Sequence, residues 1–379
     1  MNKHNPKNIS VSLLTRSAAA LLAAFVMVPA AHADATDDYV RSVMQKRHIP
    51  GMSIAVMRDD QVIKEASYGL ASIEHNAAVK PDTIFSLASM TKTFTATAIM
   101  LLVQDGRITL DDTVIKILPQ LPPAWAGVTL RHCLSHTSGL PDAITDDINI
   151  ITINGDRDVL LQELAKLPLK PAGEKSVYNQ TGYMLLGMVI EKTSGMSYEQ
   201  FLQTRLFRPA GLKAAEFGDA WSIIPGRSDL YTSLGITKDH SKLEVKEGRP
   251  TVMQDRIYHY GAKFMPDYLM PAGLLNASID DMVKFEQTLI SGKILSPASL
   301  KQMTTPFKLH NGQDGDFGLG FMFMPFGKQV AIAYGGGAAA WRLSLPEQHL
   351  TVVVLTNLQG SQPHALAADI AKLYVNAAQ

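Results

Sequence analysis

The chain is short of cysteine, of net charge and of long apolar runs, and each shortage removes a class of function. Cys133 is the only cysteine among 379 residues, so no internal disulfide can form, and a lone cysteine reads as a small buried hydrophobe. The 35 basic and 35 acidic residues balance, with no basic stripe for a phosphate backbone and no charged block of the disordered kind. No apolar run reaches the ~20 residues a membrane-spanning helix needs. Nucleic acid and a membrane span are therefore not expected. A Gly-x-Ser-x-Gly elbow is also missing, which argues against an α/β-hydrolase. Internal repeats and low-complexity segments are absent too.

What is present is a large apolar complement, 46% of residues, enough for one large domain or two intertwined ones. The first 33 residues read separately. Lys3, Lys7 and Arg16 precede an apolar run from Ala18 to Val28, and Ala31-His32-Ala33 is a small-x-small cleavage site. That layout is a secretory signal peptide. Cleavage after Ala33 leaves 32 basic and 35 acidic residues, a mature charge of about −3. A periplasmic or secreted location is expected.

After Asp34 the pattern predicts a helix capped by Thr36, with Tyr39, Val40, Val43 and Met44 on one side. Pro50-Gly51 breaks it. Strands follow at Ser53–Met57 and Val62–Ala66, around the turn Arg58-Asp59-Asp60. From Ile108 to about Tyr260 the reading is helices and irregular loops. Tyr183–Glu191 closes at Gly195, and Ser197 with Gln200 forms a capping box whose helix ends before Pro209 and Gly211. Residues 223–250 show no sustained period. Ser278 with Asp281 opens a helix carrying Met282, Phe285 and Leu289, stopped by Gly292. Strands return at Val330–Ala333, Arg342–Leu345 and Leu350–Thr356, and a helix over Ala365–Val375 ends the chain. Strands at both ends imply an α+β fold: an antiparallel sheet built from both chain ends and flanked by helices, plus an inserted mainly helical region. The expected division is 34–95 with 262–379 for the sheet domain and 96–261 for the helical one.

The stretch Ser86-Leu87-Ala88-Ser89-Met90-Thr91-Lys92 carries the chemistry. Ser89 and Lys92 are three apart and share one helical face. A serine hydroxyl needs a base within reach, and a lysine serves if its surroundings favour the neutral amine. Unpaired backbone N–H groups in a helix's first turn can also receive an oxyanion. Thr91, Thr93, Thr95 and Thr97 alternate like a strand, but Phe94, Ala98, Leu101 and Leu102 keep helical spacing and Gly106 follows as a stop. Helix is the expectation. The pair alone equally fits a solvated helix face. His132 and His136 flank Cys133 at a spacing that suits two metal ligands, yet no third ligand accompanies them. No metal and no cofactor are expected. Glu174, Asp142 and Asp280 read as cap or surface carboxylates, and Met265, Met270, Met322 and Met324 as core or pocket wall.

Four stretches together resemble the serine β-lactamase and penicillin-binding superfamily, in its class C β-lactamase-like branch that includes family VIII carboxylesterases. They are Phe85 to Lys92; Val128-Thr129-Leu130-Arg131-His132-Cys133-Leu134-Ser135-His136-Thr137-Ser138-Gly139-Leu140-Pro141; Tyr178-Asn179-Gln180-Thr181-Gly182-Tyr183; and Tyr334-Gly335-Gly336-Gly337. The resemblance implies a β-lactamase/transpeptidase-like fold. It implies that Ser89 is acylated, that Lys92 and Tyr178 are its proton partners with the base unassigned between them, and that the N–H groups of Ser89 and Gly337, on the edge strand, form the oxyanion hole. Gln180, Tyr334, Gly335 and Gly336 fall at substrate-binding positions.

Two departures bear on the substrate. Gln180 stands where β-lactamases of this branch usually have asparagine. Tyr334-Gly335-Gly336 stands where β-lactamases and peptidases have Lys-Thr-Gly, whose lysine and threonine hold a substrate carboxylate. The variant is similar to the Trp-Gly-Gly of family VIII esterases, and an aromatic wall suits an uncharged ester. A carboxylesterase working through an acyl-enzyme is therefore the expected activity. A D-amino-acid peptidase, DD-peptidase or β-lactamase using the same machinery, or a non-catalytic penicillin-binding-like protein, stays open beside it. The expected partner is a small-molecule ester, amide or β-lactam; the oligomeric state is left open.

Overall fold

Residues 51–57 are buried without a break, because this strand runs inside a sheet covered on both faces. In the computed structural model the described residues are 30–144, 156–235, 245–246, 249–253, 256–260, 265–337 and 339–376. Among them the main sheet has seven strands: β1 (Gly51–Arg58), β2 (Gln61–Ser72), β3 (Ala77–Ala78), β4 (Met322–Phe326), β5 (Gln329–Gly336), β6 (Ala340–Leu345) and β7 (Leu350–Thr356). Their spatial order is β4-β5-β6-β7-β1-β2-β3, and every neighbouring pair is antiparallel. The two ends of the chain meet at the centre, with Ile54 opposite Val354.

Side chains on a strand alternate between faces, and here both faces are apolar. Met52, Ile54, Val56, Val352 and Val354 join one core. Ala55, Met57, Val353 and Leu355 join the other. Each buried aliphatic contributes roughly 1.5–3 kcal/mol. The first face is covered by helices α1 (Ala30–Arg47) and α6 (Pro363–Asn376) through Val40, Leu366 and Ile370. The second meets α2 (Thr91–Gln104) and α5 (Ile279–Ile290), beyond which lie α3 (Leu130–Leu134) and α4 (Gln180–Ser194). Arg342 on β6 makes two 2.9 Å bonds to the Glu286 carboxylate on α5. Both side chains are buried, so the pair pins helix to sheet and loses heavily if one member is removed.

The threonine run of α2 is helical and buried from Thr91 to Leu102. Its hydroxyls are satisfied rather than solvated: Thr97 donates to the Thr93 carbonyl at 2.8 Å, and Thr95 to the Pro271 carbonyl at 2.7 Å. Ser278 caps α5 through the Asp281 N–H as expected, and the Ser197–Gln200 capping box is present.

Five expectations are corrected. Helix α1 begins at Ala30, so Thr36 is no cap; it is buried inside the helix, where its hydroxyl meets Tyr374 of α6 at 3.2 Å. The expected signal peptide lies mostly outside the described residues, which start at 30. Pro209 sits within the helical turn Arg208–Ala210, which tolerates proline at its start, and Gly211 ends it. Strand β4 was not foreseen. Finally, β5 is not the sheet's edge; β4 is. The β4 ladder stops at the pair Met322–Ala333, so Tyr334 to Gly336 pair with β6 alone and present an open flank locally.

Candidate active site

The tip of β5 and the start of α2 meet at one spot. Ser89 lies in a single 3-10 turn, Ala88–Met90, directly before α2 rather than in its first α-turn. Ala88 holds φ +44, a left-handed conformation that costs a non-glycine residue of order 1–3 kcal/mol. It is held there by packing from below. A Cβ on Gly336 would fall 1.8 Å from the Leu87 carbonyl oxygen, so only glycine lets β5 lie this close to the turn. A Cβ on Gly337, itself at φ +56, would come 3.1 Å from the Ala88 side chain. Gly337 falls in the turn after β5, beside the serine turn rather than within the strand.

Lys92 is fully buried. Its Nζ donates to the Ala272 carbonyl at 2.5 Å and lies 3.4 Å from Ser89 Oγ. It is 4.8 Å from the centre of the Tyr178 ring and 5.5 Å from that of Tyr183. Burial lowers its pKa from the ordinary 10.5, against the opposing pull of Tyr178 and Asp142; the neutral amine is thereby favoured. Tyr178 is 38% exposed and precedes Asn179, the residue that caps α4. Asn179 accepts the Gly182 N–H at 2.8 Å and donates to the Leu140 carbonyl at 3.0 Å, which locks the backbone that carries Tyr178.

Ser89, Tyr178, Tyr334, Gly335, Gly336 and Gly337 share one cavity of about 450 Å³. The structure therefore brings together all but two of the expected residues at that surface. Lys92 stands behind Ser89. Gln180 opens α4, half-buried, with its N–H on the Asp142 carboxylate at 3.0 Å; it does not line the cavity. Asp142 is indeed a cap, and burial raises its pKa.

The rest of the lining was not foreseen except for Met322. Phe317, Trp341 and His364 complete an apolar wall with Leu234 and Val252. Gly335 faces Trp341 across the β5–β6 ladder, and a Cβ at 335 would lie 2.1 Å from the indole. The indole thus occupies the space a threonine side chain there would need. Tyr334 is only 2% exposed, so it backs the cavity rather than walling it, and its hydroxyl turns inward to His136 at 3.1 Å. Among the described lining residues there is no lysine, arginine or carboxylate. Burial also lowers the pKa of His364. Nothing at this wall is built to hold a substrate carboxylate.

His132 does not join His136 in a cluster. Its side chain caps α3, and His136 turns to Tyr334. Among the described residues no group of His, Cys, Asp and Glu could hold a metal. Burial raises the Cys133 thiol to about 12.

The family described as Beta-lactamase matches residues 36–376. The chain belongs to the beta-lactamase family. Penicillin-binding protein 4* of Bacillus subtilis (strain 168) is 31% identical over 323 residues, 83% of this chain and 69% of that protein. D-aminopeptidase of Gluconobacter oxydans (strain 621H) is 28% identical over 340 residues, 87% of this chain and 58% of that protein. Both relatives are longer than this family member. The solved structure of EstCE1, a hydrolase with promiscuous acyltransferase activity, superposes with a TM-score of 0.74 at 20% identity, covering 90% of this chain and 98% of its own. The β-lactamase/transpeptidase-like fold and the class of serine hydrolase follow from this membership. No helix among the described residues is long and apolar enough to cross a membrane.

Proposed function

We propose that this beta-lactamase family member is a carboxylesterase that cleaves uncharged esters through an acyl-enzyme on Ser89. The observation that carries the reading is the β5–β6 wall: Trp341 fills the space over Gly335, and the cavity lining holds no cation. In the proposed reaction Ser89 Oγ attacks the ester carbonyl carbon while its proton passes to Lys92 or Tyr178. The tetrahedral oxyanion is held by the N–H groups of Ser89 and Gly337. Its collapse breaks the carbon–oxygen bond and the alcohol leaves with that proton. Water then attacks the acyl carbon, releases the acid and restores Ser89.

A second reading has an observation of its own. The relatives named penicillin-binding protein and D-aminopeptidase favour a peptide, D-amino-acid amide or β-lactam substrate for the same residues. Purified protein assayed on an aryl butyrate, a chromogenic cephalosporin and a D-amino-acid anilide separates the two. Ester turnover at least 100-fold above the others supports the first reading; the reverse order establishes the second. We also propose that residues 1–33 direct export and are removed after Ala33. Likewise proposed is a division into a sheet domain of 34–95 with 262–379 and a helical domain of 96–261.

A further inference from the structure

His136 is 1% exposed and packed between aromatic rings, 4.6 Å from Tyr178, 5.1 Å from Tyr183 and 4.6 Å from Phe317, centre to centre. Its Nδ1 faces the backbone N–H of Asn179 at 3.1 Å. A backbone N–H only donates, so Nδ1 carries no proton. Burial, and then the nearby Lys92, hold the ring's pKa well below 6.5, so the imidazole is neutral and its single proton sits on Nε2. That N–H points at Tyr334 Oη, 3.1 Å away, which must accept it. The Tyr334 proton is then left to be donated elsewhere. Burial pushes its phenol well above the ordinary range, and its hydrogen-bond neighbour is Tyr178. Tyr178 is also the neighbour of Lys92.

We infer that Tyr334 is a positioning residue: its hydroxyl, oriented by a neutral His136, donates to the Tyr178 oxygen and holds the catalytic tyrosine without a charge. The bonds close a ring, from the Asn179 N–H to His136, to Tyr334, to Tyr178 and back through one peptide bond. The imidazole thus tethers both the backbone and the tip of Tyr178. Lys92 and Tyr178 share one mobile proton. A fixed O–H donor on the phenol oxygen favours the arrangement with that proton on Lys92, leaving the oxygen free to take the proton of Ser89. A neutral donor does this without placing a cation where a substrate carboxylate would bind. The inference rests on the acyl-enzyme reading above.

The test is Tyr334→Phe, which keeps the ring and removes the donor. On an aryl ester, kcat should fall about 10- to 100-fold, the worth of one hydrogen bond to a charged group, with KM within about threefold. The acid limb of the rate profile should move to higher pH. The groups that bear on that limb are Lys92 from α2, Tyr183 from α4, and Asp142, His136 and Tyr178 from the segments between. His136→Leu should match Tyr334→Phe, the double variant should lose little more, and His136→Gln, which can accept and donate at once, should recover part of the rate. An unchanged kcat and pH profile in Tyr334→Phe, or a loss confined to KM, overturns the inference. If Tyr334→Phe does not fold, the His136→Leu and His136→Gln pair decides by the same criteria. Intact-mass labelling of the native protein by a fluorophosphonate keeps the two failures apart. An unlabelled Ser89 defeats the acyl-enzyme reading itself, whereas a labelled, active protein with an unaffected Tyr334→Phe defeats only the relay.

Discussion

The two walls of the cleft are built on opposite terms. One, from the serine turn and the start of α4, is polar and tightly bonded: Lys92 to Ala272, Asn179 to Leu140 and Gly182, His136 to Asn179. The other, the β5–β6 hairpin, is glycine and indole with no charge. The difference teaches where each property resides. Bond making depends on fixed donors and acceptors, so the first wall leaves its residues no freedom. Substrate choice depends on what fills the second, where Tyr334, Gly335 and Trp341 stand in place of a cation and a hydroxyl.

The hardest break in this comparison is Ser89→Ala. Ester turnover and fluorophosphonate labelling, followed by intact mass, should both vanish, on the order of 10⁶ in kcat. Next is Tyr178→Phe, with acylation slowed by roughly 10²–10⁴ in single-turnover kinetics; near-full activity would leave the base role with Lys92 alone. Changing the second wall should act on selectivity instead. Tyr334→Lys with Gly335→Thr needs Trp341→Ala beside it, because the indole fills the space of the threonine. That triple variant should raise the rate ratio of a carboxylate-bearing amide to a neutral ester by about tenfold or more, the worth of one charged hydrogen bond. An unmoved ratio would show that the hairpin does not set substrate choice. The smallest effect is on stability. The pKa of His136 is lowered on folding, so below about 6.5, its unfolded value, the unfolded chain binds the extra proton first. The stability it contributes is therefore whole above that pH and declines as pH falls. His136→Gln should flatten this acid slope in denaturant titrations.

Local signals were legible in the sequence. Ser278 and the Ser197–Gln200 box act within one turn of helix, so neighbouring residues suffice to predict them. Strand β4 was missed because Met322-Phe323-Met324-Pro325-Phe326 shows no alternation and contains a proline, which an edge strand tolerates. Thr36 misled because its hydroxyl is satisfied by Tyr374, 338 positions away, not by its own helix. The same holds at the site. Ser89 and Lys92 could be read from their spacing, while the bond between His136 and Tyr334 spans 198 positions and exists only once β5 lies beside the helices. Trp341 left a fainter sign: a tight hairpin after Gly336 sets its ring across from Gly335.

The meeting of β1 with β7 also has a bearing on how the molecule is made. Some three hundred residues must leave the ribosome after Met52 before its ladder partner Thr356 exists. Until then the centre of the sheet has a bare flank, and closure over so large a separation is slow. The nascent chain thus stays unsealed until synthesis is nearly finished, and a truncation before residue 350 should yield a sticky, unfinished sheet rather than a smaller stable one.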